Sequence, residues 1–384
     1  MKKVLHVITD LDVGGAETFL FRLIPSLEER GFRSFVVYLA GSGKLVSKYR
    51  DCGIEVYPLD LDSGLRSVIQ FLKLFFIVRS IRPDIIQTWM YHSDLVGGIV
   101  ARLMNIPVIW GVRQSNLEGS VNSNRTLLVI RICALLSRYV PQEIVYNSVA
   151  AEKSHTSIGY DDSKSRVIPN GIDCDKFRPG AGARQKIRSE LHIPEQSLVL
   201  GHIARYDVQK DHATFVKSII MIREKHPAAH FVLAGDGIDW SNNELVGDFD
   251  YVKDHDWLHL LGFRSDISDV LSSMDIFCSS SRGESCPNAV IEAMAMGLPC
   301  IATDVGDVGS LLGEVGVIVD RQDPGQLADA CILMLLESSD YRSSMGNEAR
   351  RRVCNEFPLS GAAQSFSGLY WRYVGTPGTQ GAGY

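Results

Sequence analysis

Short apolar runs alternate with helix-like stretches along the chain, and the alternation restarts halfway. In the first half, 4–8, 35–39, 85–88, 108–111 and 144–147 read as strands. Between them 16–29, 68–81, 94–103 and 125–138 carry helical periodicity. Alternation of this kind implies a parallel sheet with helices on both sides. The rhythm resumes at 198–203, 231–234, 259–261, 276–278, 300–302 and 317–319. A chain of 384 residues exceeds one ordinary core. The fold class is therefore α/β, with two doubly wound, Rossmann-like domains.

Val167-Ile168-Pro169-Asn170-Gly171-Ile172-Asp173 and the stretch to Gly182 are rich in Pro, Asn and Gly, and read as the linker. The expected division is a first domain over 1–178, a second over 179–358, a helix over 359–374 returning to the first domain, and a loose Gly-rich tail over 375–384.

Ser281-Arg282-Gly283-Glu284-Ser285-Cys286-Pro287-Asn288-Ala289-Val290-Ile291-Glu292 carries the densest chemistry. Proline suits a first helical position, so a helix is expected from Pro287. The amides of Asn288 and Ala289 would then lie at a positive helix end that suits a diphosphate. Glu284 precedes the helix, and Glu292 sits one turn beyond Asn288 on the same side. Two carboxylates able to accept from sugar hydroxyls, beside amides for phosphates, are the means to grip a nucleotide-sugar. The bland reading is a surface loop with two solvated acids. An apolar run before the loop and Gly297-Leu298-Pro299 after it favour the functional one, because a strand–loop–helix–strand unit puts the loop at the carboxyl edge of a parallel sheet.

Two further segments sit at predicted strand ends. Gly14-Gly15-Ala16-Glu17 follows the first strand; paired glycines admit a ligand closely or simply make a turn. Arg205 and Lys210 follow the strand at 198–203 and are either a diphosphate clamp or two solvated charges.

These pieces together carry a resemblance. With Pro169-Asn170-Gly171-Ile172-Asp173, Ala234-Gly235-Asp236-Gly237 and Glu284-x7-Glu292 in order along nearly the whole chain, the sequence resembles the retaining glycosyltransferases of family GT4, which have the GT-B fold. The resemblance implies a transferase moving a sugar from a nucleotide-sugar, UDP-linked, to a hydroxyl of a glycan or lipid-linked acceptor, in surface polysaccharide or lipopolysaccharide biosynthesis. It implies Arg205 and Lys210 on the donor diphosphate, Glu292 on the ribose, Glu284 by the donor sugar, and amides at Cys286, Asn288 and Ala289 completing the pocket. Relatives usually carry Gly where this chain has Ser285, and often where it has Pro287. A histidine after the fourth strand often meets the donor sugar. His92 is the one available here, although Trp89 occupies the aligned place, and a capping or packing role is the alternative. Arg113, after another strand end, could meet an acceptor phosphate. A nucleotide-sugar 2-epimerase and a non-catalytic nucleotide-sugar binding subunit are the competing classes.

A net charge of −6 argues against nucleic acid as a partner. Eight scattered cysteines without a Cys-x-x-Cys pair predict reduced thiols, a cytoplasmic setting, and no zinc site. Asp-x-Asp pairs recur at Asp10/Asp12, Asp60/Asp62, Asp173/Asp175, Asp248/Asp250 and Asp254/Asp256. Five copies in unrelated contexts look compositional, so no metal or other cofactor is expected. The apolar N-terminal run is too short for a signal peptide, and no segment approaches the ~20 apolar residues of a spanning helix. The helix over 124–139 interleaves Arg125, Arg131 and Arg138 with leucines. It is either a core helix with a solvated basic face or a peripheral contact with the inner face of a membrane.

Overall fold

A computed structural model describes residues 1–12, 14–59, 65–119, 121–248 and 256–375. The chain divides into two compact units: Met1–Gly171 with the chain from Leu359, and Ile172–Pro358. In unit 1 the elements are β1 Lys2–Ile8, α1 Gly15–Glu28, β2 Phe32–Tyr38, α2 Val46–Asp51, β3 Glu55–Pro58, α3 Leu65–Ile81 and β4 Ile85–Trp89. There follow α4 Tyr91–Leu103, β5 Val108–Val112, α5 Asn124–Leu136, β6 Glu143–Tyr146, α6 Val149–Thr156 and β7 Ser165–Val167. Unit 2 comprises α7 Ala181–Glu190, β8 Val199–Ile203, α8 His212–Lys225, β9 His230–Ala234, α9 Asn243–Asp248, β10 Leu258–Leu260 and α10 Ile267–Ser272. It continues with β11 Ile276–Ser279, α11 Asn288–Ala295, β12 Cys300–Thr303, α12 Val308–Leu312, β13 Val317–Val319, α13 Pro324–Leu336 and α14 Ser339–Glu356. The chain then returns to unit 1 as α15 Leu359–Val374.

Unit 1 holds a sheet ordered β3-β2-β1-β4-β5-β6-β7, and unit 2 one ordered β10-β9-β8-β11-β12-β13. The paired strands of both sheets run parallel; Val4, for example, lies opposite Ser34 on one side and Ile85 on the other. Each sheet winds outward in both directions from a central pair, β1/β4 and β8/β11. That pair is the switch point at which ligands bind in such folds.

The period-2 alternation of a strand explains the double-faced burial. In β1, Val4 and Ile8 enter one core with α1 and α15, while Leu5 and Val7 enter a second core with α3, α4 and α5. Helix α15 fills the first core with Phe366, Leu369 and Tyr370. The Tyr370 hydroxyl donates to Gln87 Oε1 at 3.2 Å, and its ring meets Phe32 at 5.4 Å. Residues 172–178 cluster with unit 2, because Ile172 and Phe177 are buried in its core.

The two strands of chain that pass between the units leave unit 2 side by side. The Ile172 amide donates to the Phe357 carbonyl at 2.9 Å, and Ile172 bridges Pro358 in parallel. Here the structure corrects the expectation of reduced thiols. Cys174 and Cys354 form a disulfide with their Cα atoms 6.0 Å apart, although 180 residues separate them. Spacing in sequence carries no sign of it: the linker folds back onto α14, and Arg350 holds it there through the Cys174 and Phe177 carbonyls.

Candidate functional site

The loops after β8 and β11 flank the switch point of unit 2, and both carry charge. After β8, the Asp207 carboxylate accepts from the Gln209 amide and starts a short 3₁₀ turn that ends at Lys210. Asp211 then adopts φ 49°, a left-handed conformation, and caps α8 by accepting from Thr214. After β11, the Ser280 hydroxyl donates to the Lys210 and Asp211 carbonyls, and the Arg282 amide to the Gln209 carbonyl. The loops are thus laced together by backbone. Across them Lys210 Nζ donates to Glu284 Oε1, which also accepts from the Ser281 hydroxyl at 2.7 Å. A second pair, Arg282 to Asp211 at 2.8 Å, closes the other side. Burial pushes the Asp211 carboxyl up, but the bonds from Arg282 and Thr214 outweigh it and hold it below its usual value.

Two glycines bring neighbouring loops into contact. At Gly235, after β9, a Cβ would stand 2.0 Å from the Ala204 carbonyl oxygen. At Gly306, after β12, φ is 56° and a Cβ would stand 2.1 Å from the Glu284 carbonyl oxygen. Both neighbours are backbone, which cannot swing aside. The Thr303 hydroxyl adds a bond of 2.6 Å to the Ser281 carbonyl. Behind Lys210 lie His202 and His212, their rings 5.0 Å apart and edge to face. Desolvation lowers both, His202 to about 4, so they stay neutral beside the lysine.

Of the sequence-predicted donor residues, the structure brings Lys210 and Glu284 into one ion pair. Arg205 is about half exposed and pairs with Asp207 at 3.1 Å. Glu292 is buried on α11. The helix starts one residue later than expected. Pro287 is extended (φ −79°, ψ 93°) and occupies the N-cap, so Asn288 opens the helix, and Gly297 at φ 72° follows its end. The first intrahelical bond runs from the Ile291 amide to the Pro287 carbonyl. The amides of Cys286, Asn288 and Ala289 therefore precede the helical ladder. Sequence reasoning gave no role to Ser281, Arg282, Asp211, Thr303 or Gly306; the recurrence of strand ends at one sheet edge was the available signal.

In unit 1 the corresponding switch-point loops carry Gly14-Gly15 and His92. Gly14 is the N-cap of α1, and the Glu17 carboxylate folds back over it: a Cβ at Gly14 would meet Glu17 Oε2 at 2.2 Å. After β4, Met90 takes φ 72° and His92 becomes the second residue of α4, half-buried, its basicity lowered by desolvation. It is not a cap; the N-cap position is Met90's and no side chain bonds there. Trp89 is wholly buried and donates to His6 Nδ1 at 3.3 Å. Arg113 stacks over Phe19 and Trp89 at 4.7 and 4.8 Å and donates to Asn170 Oδ1 at 2.9 Å.

Two of the Asp-x-Asp pairs have a local explanation. The Asp10 carboxylate accepts from the Asp12 amide, and that of Asp173 from the Asp175 amide. The spacing is that of an Asx turn. Asp60/Asp62, Asp250 and Asp254 lie outside the described residues. Among the described residues no group of three His, Cys, Asp or Glu side chains is placed to hold a metal.

This architecture is that of the GT-B glycosyltransferases. HepE of Anabaena, solved with UDP and glucose, superposes with a TM-score of 0.84 at 20% identity, covering 96% of this chain and 99% of that one. Sucrose-phosphate synthase of Thermosynechococcus elongatus superposes with a TM-score of 0.80 at 18% identity, covering 97% and 99%. Residues 13–176 match the model of Glycosyltransferase Family 4, and residues 197–337 that of Glycosyl transferases group 1. The chain belongs to glycosyltransferase family 4 and is an enzyme of that class. One similar protein is the Escherichia coli UDP-Gal:α-D-GlcNAc-diphosphoundecaprenol α-1,3-galactosyltransferase, 25% identical over 80% of each chain. Another is the Campylobacter jejuni N,N'-diacetylbacillosaminyl-diphospho-undecaprenol α-1,3-N-acetylgalactosaminyltransferase, 25% identical over 95% of this chain and 98% of that one.

Proposed function

We propose that the protein transfers a sugar from a UDP-sugar to a hydroxyl of a glycan or lipid-linked glycan, with the anomeric configuration retained, in building a surface polysaccharide at the inner face of the membrane. The observation that carries this reading is the Lys210–Glu284 pair at the switch point of unit 2. The relatives support it: one is named for a UDP-Gal donor, and both are named for a diphosphoundecaprenol acceptor.

In this reading the bond from the anomeric carbon to the diphosphate breaks with its electron pair on oxygen. The acceptor oxygen bonds the anomeric carbon on the face the diphosphate leaves, and passes its proton to the departing diphosphate oxygen. Lys210, Arg205 and the N-terminal end of α11 counter the charge that grows on the diphosphate, without a metal ion. The amides of Cys286, Asn288 and Ala289 lie at that end. Glu292 accepts from the ribose hydroxyls, and Glu284 orients the sugar. Gly14 and Gly15 supply close backbone, His92 meets the donor sugar, and Arg113 meets an acceptor phosphate.

The test is a panel of nucleotide-sugars, scored by thermal stabilisation and then by turnover. A donor at about 100 times its dissociation constant adds about 2.7 kcal/mol. Transfer should survive EDTA, and NMR of the product should show the donor's anomeric configuration. Stabilisation by no UDP-sugar, or inversion, would overturn the reading. Epimerised donor formed without acceptor would instead establish an isomerase.

A further inference from the structure

Unit 1 gathers charge at a second place, where α15 packs beside the edge strand β7. The Glu143 carboxylate, buried at the start of β6, accepts from three donors. They are Arg166 Nε at 2.6 Å, Arg372 Nη1 at 3.1 Å and the Tyr373 hydroxyl at 3.0 Å. One carboxylate thus faces two guanidiniums, and one positive charge is left over. A guanidinium has five N–H groups, and each of these uses one on Glu143. Their other donors have no protein partner among the described residues. Unit 2 shows the same arrangement in a purely structural role. Arg184 and Arg188 share the Asp275 carboxylate at 2.7 and 2.8 Å. Their remaining donors go to backbone carbonyls, Arg184 to Met274 and Arg188 to Ser273, Glu195 and Ser197. Arg166 and Arg372 instead line a groove of about 300 Å³.

The groove has further donors, and no acid lines it. Gln364 and Ser365 stand on its α15 wall. On the other wall the Ile168 amide donates to the Tyr146 carbonyl at 2.8 Å, inside the sheet. The Val167 amide alternates with it and so faces away from β6, at the sheet edge. Gly368 opens on the same space. A glycine weakens a helix interior relative to alanine. The usual reasons for one are absent here: no positive φ is needed, and a Cβ would meet nothing within 4 Å. Neither backbone nor packing requires Gly368, whereas an occupant of the groove would.

We infer that the groove between β7 and α15 binds a small phosphate monoester. Donors reach it from the strand, through Arg166 and the Val167 amide, and from the helix, through Arg372, Ser365 and Gln364. Convergence from two sides suits a tetrahedral group with three free oxygens better than a planar carboxylate with two. Guanidinium forks match phosphate geometry and stay charged at any working pH. A volume of about 300 Å³ is at the small end of ligand sites, enough for a phosphate and a sugar-sized ester group. The walls are the last strand before the chain leaves unit 1 and the helix by which it returns. An occupant therefore braces β7 against α15 where both crossings are rooted.

The inference does not rest on the donor-site reading, and its test needs neither acceptor nor turnover. Calorimetry is run on full-length protein with inorganic phosphate and with glucose 6-phosphate. The ester should bind more tightly, because it also fills the space beside Gly368; equal binding would make the free ion the occupant of the same site. Binding should persist in Lys210→Ala, which removes a cation of the unit 2 loops. Arg372→Gln should weaken either probe by about tenfold or more, the worth of one charge-assisted contact. Arg372→Lys should restore only part of that, since an ammonium lacks the fork. Gly368→Leu leaves every charge in place, favours the helix and should abolish binding of the ester. Hydrogen exchange should show added protection at 165–168 and 364–372 when the ester is bound, and circular dichroism verifies that each variant folds. Binding of neither probe, affinity indifferent to Arg372 or to Gly368→Leu, or binding lost in Lys210→Ala would overturn the inference.

Discussion

The two units share one winding and one switch point, yet they use them differently. In unit 2 the loops flanking β8 and β11 meet through Lys210 and Glu284 and are held by Gly235 and Gly306 against neighbouring backbone. In unit 1 the loops after β1 and β4 present Gly14 beneath the Glu17 carboxylate and a half-buried His92. The scaffold supplies the place, and the residues at the loop ends decide whether charge is gathered there.

The sharpest way to break this contrast is Lys210→Ala. Loss of one preorganised cation at a site of developing charge should cut kcat by about 10²–10³ with the fold intact. Single-turnover rates near wild type would reduce the Lys210–Glu284 pair to a structural ion pair. Next in size, replacing Cys174 and Cys354 by serine should cost unit 2 about 2–4 kcal/mol. Hydrogen exchange read unit by unit should show the loss in unit 2 and not in unit 1. Glu292→Ala should weaken UDP by about ten- to 150-fold, from a charge-assisted bond worth roughly 1.5–3 kcal/mol. Calorimetry with the free nucleotide measures it, and unchanged affinity would remove Glu292 from the ribose. Gly306→Ala should cost about 1–3 kcal/mol through its left-handed backbone and the Glu284 carbonyl. Urea midpoints give the value, and a silent change would show that the loops are not pressed together.

The smallest effect near neutral pH is one the units should share. Burial lowers His6 to about 3 and His155 to about 4 in unit 1, and His202 and His259 to about 4 in unit 2, from 6.5. The folded values are below the unfolded one, so the unfolded chain binds more protons in between. Stability is therefore full above 6.5 and falls as pH drops from 6.5 toward 4. Thermal melts from neutral pH to about 5 test this. Loss confined to one unit would show that the other relieves its buried histidines by local opening.

The sheet architecture was legible because β1, β4, β5, β8 and β9 are buried on both faces and read as apolar runs. The edge strands β3 and β7 were not, since Glu55 and the Ser165-Arg166 pair break the run, and edge pairing tolerates polar residues. Glu284, Glu292 and Lys210 were legible as motif members, but the contact between Lys210 and Glu284 spans 74 residues and depends on strand order. Pro287 was misplaced by one residue because proline fits an N-cap as well as a first turn. The disulfide was missed because its partners meet only once the linker folds back onto α14.

The paired crossings at Ile172 and Pro358 have a consequence for biosynthesis. Unit 2 begins and ends at one point, so it is an insertion whose whole sequence is present before α15 leaves the ribosome. Unit 1 has no such independence. Phe366 and Tyr370, which fill the core around Trp89 and Phe32, belong to α15, made after all of unit 2. The nascent chain therefore completes the half with the charged strand-end loops first, and carries an open apolar core until α15 closes it.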